Sequence, residues 1–355
     1  MNAGKQLPLR KYVIKFLFLN FIKNKQMNTV VGVAWGGFTS EHDISKKSGS
    51  TVFNALKSSP HQVYKIHISK NDWYVTDDLE NKYALNKADF SFIKENQKLT
   101  FEVIINMIHG APGENGQLAA LLELLKIPQS SCSSYIAALT YNKRDCLAVA
   151  RSLNIPTARF FTLDQGDVYS LEAIETALGF PCFVKANRAG SSFGIYKVYK
   201  KEDLKSAIEK AFEEDTQILI EAALEGREVS VGVLKWKNEI KVLPITEIIS
   251  ENDFFDYEAK YEGKSQEITP AQIPEAWTEA VTVLSKEIYQ KIGLEGVTRS
   301  EFIFENNIPH LLEINSIPGM TLESIVPQQL ERDGISMLDL LEELIAEALR
   351  KKEYL

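Results

Sequence analysis

The sequence predicts an α/β and α+β protein in which a doubly wound N-terminal domain is followed by smaller α+β units. Three observations carry that prediction. Up to about residue 129, short apolar runs alternate with helically spaced segments, the pattern of a parallel sheet with crossover helices. Beyond that point strand-like runs are shorter and more numerous. At 355 residues the chain is long for one core, so two or three packed subdomains are expected.

In order along the chain, Thr29–Trp35 reads as a buried strand closed by Gly36-Gly37. Ile44–Leu56 has helical spacing and Val63–Ser69 alternates like a strand. Phe101–Ile108 is a further apolar run ending at His109-Gly110, and Gln117–Leu125 is helical up to Pro128. One helix is expected over Ala137–Leu153, then a strand at Phe160–Thr162 and a helix at Leu171–Leu178. Strands Cys182–Ala186 and Ile195–Tyr199 bracket a Gly/Ser loop. From Gln217 come more strands, a polar stretch at Ser250–Pro270, a helix at Glu275–Ile292, a hairpin, and an amphipathic closing helix at Met337–Lys351.

Apolar and charged contents of 45% and 25% are those of an ordinary globular protein. Lys+Arg 40 against Asp+Glu 48 gives a net charge of -8, which argues against a nucleic-acid-binding face. Cys132, Cys146 and Cys182 have no CxxC spacing and read as buried thiols in a reducing compartment. No apolar run approaches the roughly 20 residues of a membrane span. Residues 1–26 carry Lys5, Arg10, Lys11, Lys15, Lys23 and Lys25 and no acid. They read as a disordered or weakly helical extension outside the fold, with Met27 as the functional start.

The hairpin is the most informative segment. Val297–Phe304 and His310–Asn315 are joined through Asn306-Asn307, a pair tolerant of the left-handed conformation. A three-residue loop at Asn306–Ile308, or an equivalent bulge, sets Glu301 opposite Glu313. Glu301, Glu313 and Asn315 then share one face, while Phe302, Phe304, Leu312 and Ile314 fill the other. Three oxygen ligands without a nearby base suit a hard cation such as Mg²⁺; a solvated sheet face is the plain alternative. Arg299 points the same way as Glu301 and can balance its charge or hold an anion.

Lys185-Ala-Asn-Arg-Ala-Gly190-Ser191-Ser192 has the small residues and cation of a phosphate-cradling loop, and reads equally as a flexible turn. Glu221, at a strand end, and Glu228 can accept hydrogen bonds from an adenine amine or ribose hydroxyl, or be simply solvated. Asp256–Tyr261 is a polar-aromatic loop suited to a substrate lid or to plain surface. Glu41 and His109 follow strands at the edge where doubly wound sheets bind ligands.

Taken in order, GGFTSEHDIS, HGAPGENG, VKANRAGSSFG, LIEAALEGREVSV, FFDYEAKY and LLEINSIPGMT resemble the D-alanine–D-alanine ligase family of the ATP-grasp superfamily, from Asn28 to the C-terminal helix. The resemblance implies three subdomains, at 27–129, 130–220 and 221–355, with ATP held between the last two. It implies that two D-alanines are joined through an acyl phosphate for peptidoglycan synthesis, in the cytoplasm, by a homodimer. Glu41 would hold the first substrate's ammonium, with Ser191 and Tyr261 hydrogen-bonded near it and His109 beside the substrate. Arg299 and the Gly319 N–H would stabilise the oxyanion, and Ser324 and Lys260 would bind the second substrate's carboxylate. Lys143, Lys185, Ser192, Glu221 and Glu228 would hold ATP. Glu301, Glu313 and Asn315 would hold two Mg²⁺, for which Mn²⁺ can substitute. Glu301 stands where family members often have Asp, and Ala222 where many carry Lys. Tyr261 favours an amine acceptor; D-lactate or D-serine as acceptor, or a non-catalytic nucleotide-binding homologue, are the alternative readings.

Overall fold

The computed structural model describes residues 29–190, 194–250 and 265–351. The expected basic extension, and the candidate residues Ser191, Ser192, Lys260 and Tyr261, lie outside the described residues.

The first sheet has the order β4-β3-β2-β1-β7, built from β1 (Val30–Gly36), β2 (Gln62–Ile68), β3 (Trp73–Thr76), β4 (Lys82–Ala84) and β7 (Val103–Asn106). Its centre is parallel, β1 pairing with β2 and β7. Its β3–β4 edge is antiparallel, a departure from the all-parallel expectation. The unbroken apolar character of β1 follows from burial on both faces. Val31 and Val33 pack under α1 (His42–Leu56), with Val52, Phe53 and Leu56. On the other face Ala34, Ile66 and Ile104 meet α2 (Gln117–Leu124) and the hairpin β5 (Ser91–Lys94)–β6 (Gln97–Thr100).

The helix expected over Ala137–Leu153 is two helices, α3 (Ser134–Tyr141) and α4 (Lys143–Ser152). Asn142 leaves the helical region at φ -91° and ψ 99°, and its side chain caps α4 by accepting from Asp145 N at 3.0 Å. The break is held by the fully buried Asn187. Its Nδ2 donates to Asn142 Oδ1 at 2.8 Å and its Oδ1 accepts from Arg144 N at 2.7 Å. No local pattern encodes a cap completed by a residue about 45 positions away, so periodicity ran the helices together.

A second, antiparallel sheet, β10-β9-β11-β8, comprises β8 (Phe160–Asp164), β9 (Cys182–Ala186), β10 (Ile195–Val198) and β11 (Gln217–Ala222). It is covered by α5 (Leu171–Leu178) and by α6 (Lys201–Glu214), a helix the sequence reading passed over. The third sheet runs β15-β14-β12-β16-β17, with β13 paired to β12. Its strands are β12 (Arg227–Trp236), β13 (Glu239–Val242), β14 (Thr246–Ser250), β15 (Ser265–Ile268), β16 (Val297–Glu305) and β17 (Ile308–Asn315). Against it packs α7 (Glu275–Ile292), with α3 and α4 completing the layer.

The β16–β17 turn is shorter than expected. Asn306 and Asn307, at φ 52° and 66°, form a two-residue connection, both residues in the left-handed region that such turns require. That alone would shift Glu313 to the wrong face. A β-bulge restores it, because Phe302 pairs with Leu311 while Glu301 pairs with Glu313, so Leu312 is the extra residue. Leu311 is therefore the buried side chain, beside Phe302, Phe304 and Ile314, and Leu312 turns to the ligand side instead of the core.

After α8 (Ile325–Arg332), which the sequence reading also missed, α9 (Met337–Lys351) returns to the first sheet. Leu340, Leu341, Leu344 and Ile345 complete the core under β1, β7 and α1. Leu344→Ala is expected to lower unfolding stability by about 2–5 kcal/mol, the usual cost of emptying a closed leucine site, read as a lower urea midpoint with near-native circular dichroism.

Candidate functional site

Two cavities meet where the sheets face one another. The smaller, of about 100 Å³, lies between the second and third sheets. Lys185, Phe183 and Glu221 enter it from the second, and Glu228, Glu301, Ile303, Leu312 and Glu313 from the third. The larger, of about 380 Å³, is walled by Glu41, His109, Tyr141, Arg299, Gly319 and Ser324. Lys143 and Glu313 line both cavities.

In the smaller cavity Lys185 Nζ sits 2.6 Å from Glu221 Oε2. Burial alone would lower the Lys185 pKa, but the adjacent carboxylate more than reverses this and raises it. Lys185 engages Glu221 Oε2, while the buried Glu221 Oε1 has no hydrogen-bonded partner among the described residues. A buried acceptor in that state suits a ligand's N–H or O–H donor. Ile303, Leu312 and Phe183 give the cavity apolar walls.

Lys143, at the first turn of α4, donates from Nζ to Ala189 O at 2.7 Å and lies 3.5 Å from Glu313 Oε2. The Asn142 break is what brings it there. Arg299 ion-pairs with Glu301, and its NH1 also donates to Ser230 Oγ at 3.1 Å. Burial opposes the Arg299 charge, while Glu301 and Glu313 sustain it and raise the pKa. For a metal, the donor set comprises Glu301 and Glu313, directly paired across strands, and Asn315 two residues on. Asn315 Oδ1 accepts from Ile317 N at 3.0 Å, which leaves it one lone pair. Oxygen donors alone, with no nitrogen or sulfur, fit a hard cation. Among the described residues no cluster of three or more His, Cys, Asp or Glu has metal-holding geometry, so any ion there also needs oxygens from its ligand or water.

The larger cavity is acidic at one end. Glu41 precedes α1 and presses on Gly190, where a Cβ would fall 2.6 Å from Glu41 Oε1. A side chain at residue 190 would push the Glu41 carboxylate aside. At the other end Ser324, just before α8, shares a 2.9 Å hydrogen bond with Thr321 Oγ1 and backs onto Gly319.

Thus Glu41, His109, Arg299, Gly319, Ser324 and Asn315 converge on the larger cavity, Lys185, Glu221, Glu228 and Glu301 on the smaller, and Lys143 and Glu313 on the shared wall. Sequence reasoning missed Glu114, Tyr141 and Glu267, which also line the larger cavity. Glu114 sits inside the HGAPGENG segment and could have been found there. Tyr141 depends on the helix break, and Glu267 on β15 pairing with β14.

Comparison with known proteins matches two family models, D-ala D-ala ligase N-terminus over residues 30–132 and D-ala D-ala ligase C-terminus over residues 149–346. The chain belongs to the D-alanine–D-alanine ligase family. Among its relatives in that family, the D-alanine–D-alanine ligase of Flavobacterium johnsoniae is 49% identical over 310 residues, covering 87% of this chain and 96% of the relative. That of Christiangramia forsetii is 46% identical over 326 residues, covering 92% and 100%. The ATP-grasp architecture matches D-alanyl-alanine synthetase A from Vibrio cholerae with a TM-score of 0.81 at 27% identity, covering 91% of this ligase-family chain and 99% of that one.

Within this ligase-family site the Glu114 carboxyl is strongly displaced. It accepts from Gly110 N at 2.7 Å, yet burial first, and Glu41 second, push its pKa up to about 8. An acid raised in this way stabilises the fold below its unfolded pKa of 4.5, and the contribution is lost as pH rises through about 8. Glu114→Gln is expected to flatten the fall in unfolding free energy between those limits, measured by urea titration at pH 5, 7 and 9.

Proposed function

We propose that this protein joins two D-alanines into D-alanyl-D-alanine at the expense of ATP, releasing ADP and phosphate, as a step in peptidoglycan precursor synthesis. The observation that carries the reading is the shared wall. Two cations, Lys143 and Lys185, and the facing pair Glu301 and Glu313 stand where a nucleotide cavity opens into a larger acidic one.

In this reading the smaller cavity takes the nucleotide. Glu221 and Glu228 accept from its adenine amine or ribose hydroxyls, Leu312 and Ile303 cover its apolar face, and Lys185 and Lys143 neutralise its phosphates. Phosphoryl transfer between anions needs such neutralisation and alignment more than covalent help. Glu301, Glu313 and Asn315 would hold Mg²⁺, which supplies further charge neutralisation when bound. Glu41 binds the ammonium of the first D-alanine and aims its carboxylate at the γ-phosphate. The carboxylate oxygen bonds to phosphorus, ADP leaves, and an acyl phosphate results. The second D-alanine, its carboxylate held near Ser324, attacks the acyl carbon through its amine. Arg299 and the Gly319 N–H stabilise the oxyanion before phosphate departs, a donor of this kind being worth about 2.7–4 kcal/mol. The roles assigned to Ser191, Ser192, Lys260 and Tyr261 belong to the same proposal.

We place the reaction in the cytoplasm, where ATP is at hand, and assign the enzyme the homodimer its family resemblance implies. Among the described residues no helix is long and apolar enough to cross a membrane.

Purified protein with ATP and Mg²⁺ should release phosphate with D-alanine and not with L-alanine. Greatest release with D-lactate at neutral pH would replace the proposed acceptor. Arg299→Ala should lower kcat by about 10²–10³-fold. Glu313→Ala retaining full D-alanine-dependent ATP turnover would refute the proposed role of the Glu301–Glu313 wall.

A further inference from the structure

His109 lines the larger cavity, yet its ring is engaged by protein. Nε2 lies 3.1 Å from Ser48 Oγ. The nearby Ile317 backbone raises the ring's proton affinity. Ser48 is fully buried on α1, and its Oγ accepts from Met320 N at 3.2 Å.

These contacts decide the protonation pattern. Ser48 Oγ receives an N–H from Met320, so its own proton needs an acceptor, and in a buried site an unmet hydroxyl is costly. His109 Nε2 is the acceptor within reach. The ring proton therefore sits on Nδ1, and the imidazole is neutral. Burial, the largest influence on this ring, lowers its pKa in the same sense, against the pull of Glu41.

Met320 directly follows Gly319, so its N–H bond to Ser48, which His109 backs, anchors that loop. The anchor originates on α1, the helix that Glu41 immediately precedes. One rigid element thereby fixes both the ammonium-binding carboxylate and the segment bearing the oxyanion donor.

We propose that Ser48, acting through His109, is a positioning residue that holds the Ile317–Met320 segment and registers the Gly319 amide against the Glu41 subsite. The proposal rests on the catalytic reading of Gly319 given above. It assigns Ser48 a role, and makes His109 a strut more than a substrate contact.

Two measurements test it. Nitrogen-15 spectra of the histidine rings in the full-length wild-type protein should show His109 as the neutral Nδ1–H tautomer between pH 6 and 8. An imidazolium or an Nε2–H tautomer at pH 7 overturns the proposal whatever the activity. Kinetics then compare Ser48→Ala, His109→Ala and the double variant. Ser48→Ala should lower kcat by between about 10- and 100-fold, the scale of an ångström-level misplacement, with KM for ATP changed less than about twofold. The double variant should fall no more than about threefold below the poorer single, because both changes break one unit. Multiplying losses, or a Ser48→Ala variant that melts earlier with kcat unchanged, overturn it. Wild-type protein without D-alanine-dependent turnover would refute the proposed function and leave the tautomer measurement decisive for the geometry. The same spectra keep the test open should Ser48→Ala fail to fold.

Discussion

The register between β16 and β17 is the constraint on which the rest of the site depends. Side chains alternate across a strand, so a one-residue slip would send Glu313 into the apolar layer and Ile314 into the cavity. The two-residue turn at Asn306-Asn307 would by itself produce that slip. The bulge at Leu312 cancels it, and in doing so directs Leu312 into the smaller cavity. One inserted residue therefore sets a carboxylate pair and an apolar wall together.

Around that hairpin charge is balanced locally. Arg299 pairs with Glu301, Lys185 with Glu221, and Lys143 lies beside Glu313. Each partner offsets part of the desolvation of the other, because a buried ion without a counter-charge costs several kcal/mol. Arg299 and Glu301 share β16, and Lys185 and Glu221 lie on neighbouring strands of the second sheet, so only Lys143 with Glu313 ties two layers together. A polyanionic ligand entering there competes for cations that are already oriented.

Much of this was legible in the sequence wherever burial imposes a period. Continuous apolar runs marked β1 and β7, and helical spacing marked α1 and α7. The alternation of Glu301, Glu313 and Asn315 against Phe302 and Phe304 marked a polar face backed by core. What escaped was set by partners far away in sequence. Asn187 completes the split between α3 and α4, and only the capping residue Asn142, with Asp145 three on, announces it locally. A bulge has no signature of its own, so a three-residue loop and an equivalent bulge both stayed open, and the ladder takes the bulge. Tyr141 reaches the cavity only because the helix breaks after it, whereas Glu114 lay in plain view within HGAPGENG.

The closing of the first sheet by α9 has a consequence for synthesis. Val31 and Val33 emerge early from the ribosome, but Leu340, Leu341, Leu344 and Ile345 arrive last. Until then the face of the sheet that α1 covers in part lacks the rest of its cover. A nascent molecule shortened by its final helix would present that bare face to chaperones or to other chains.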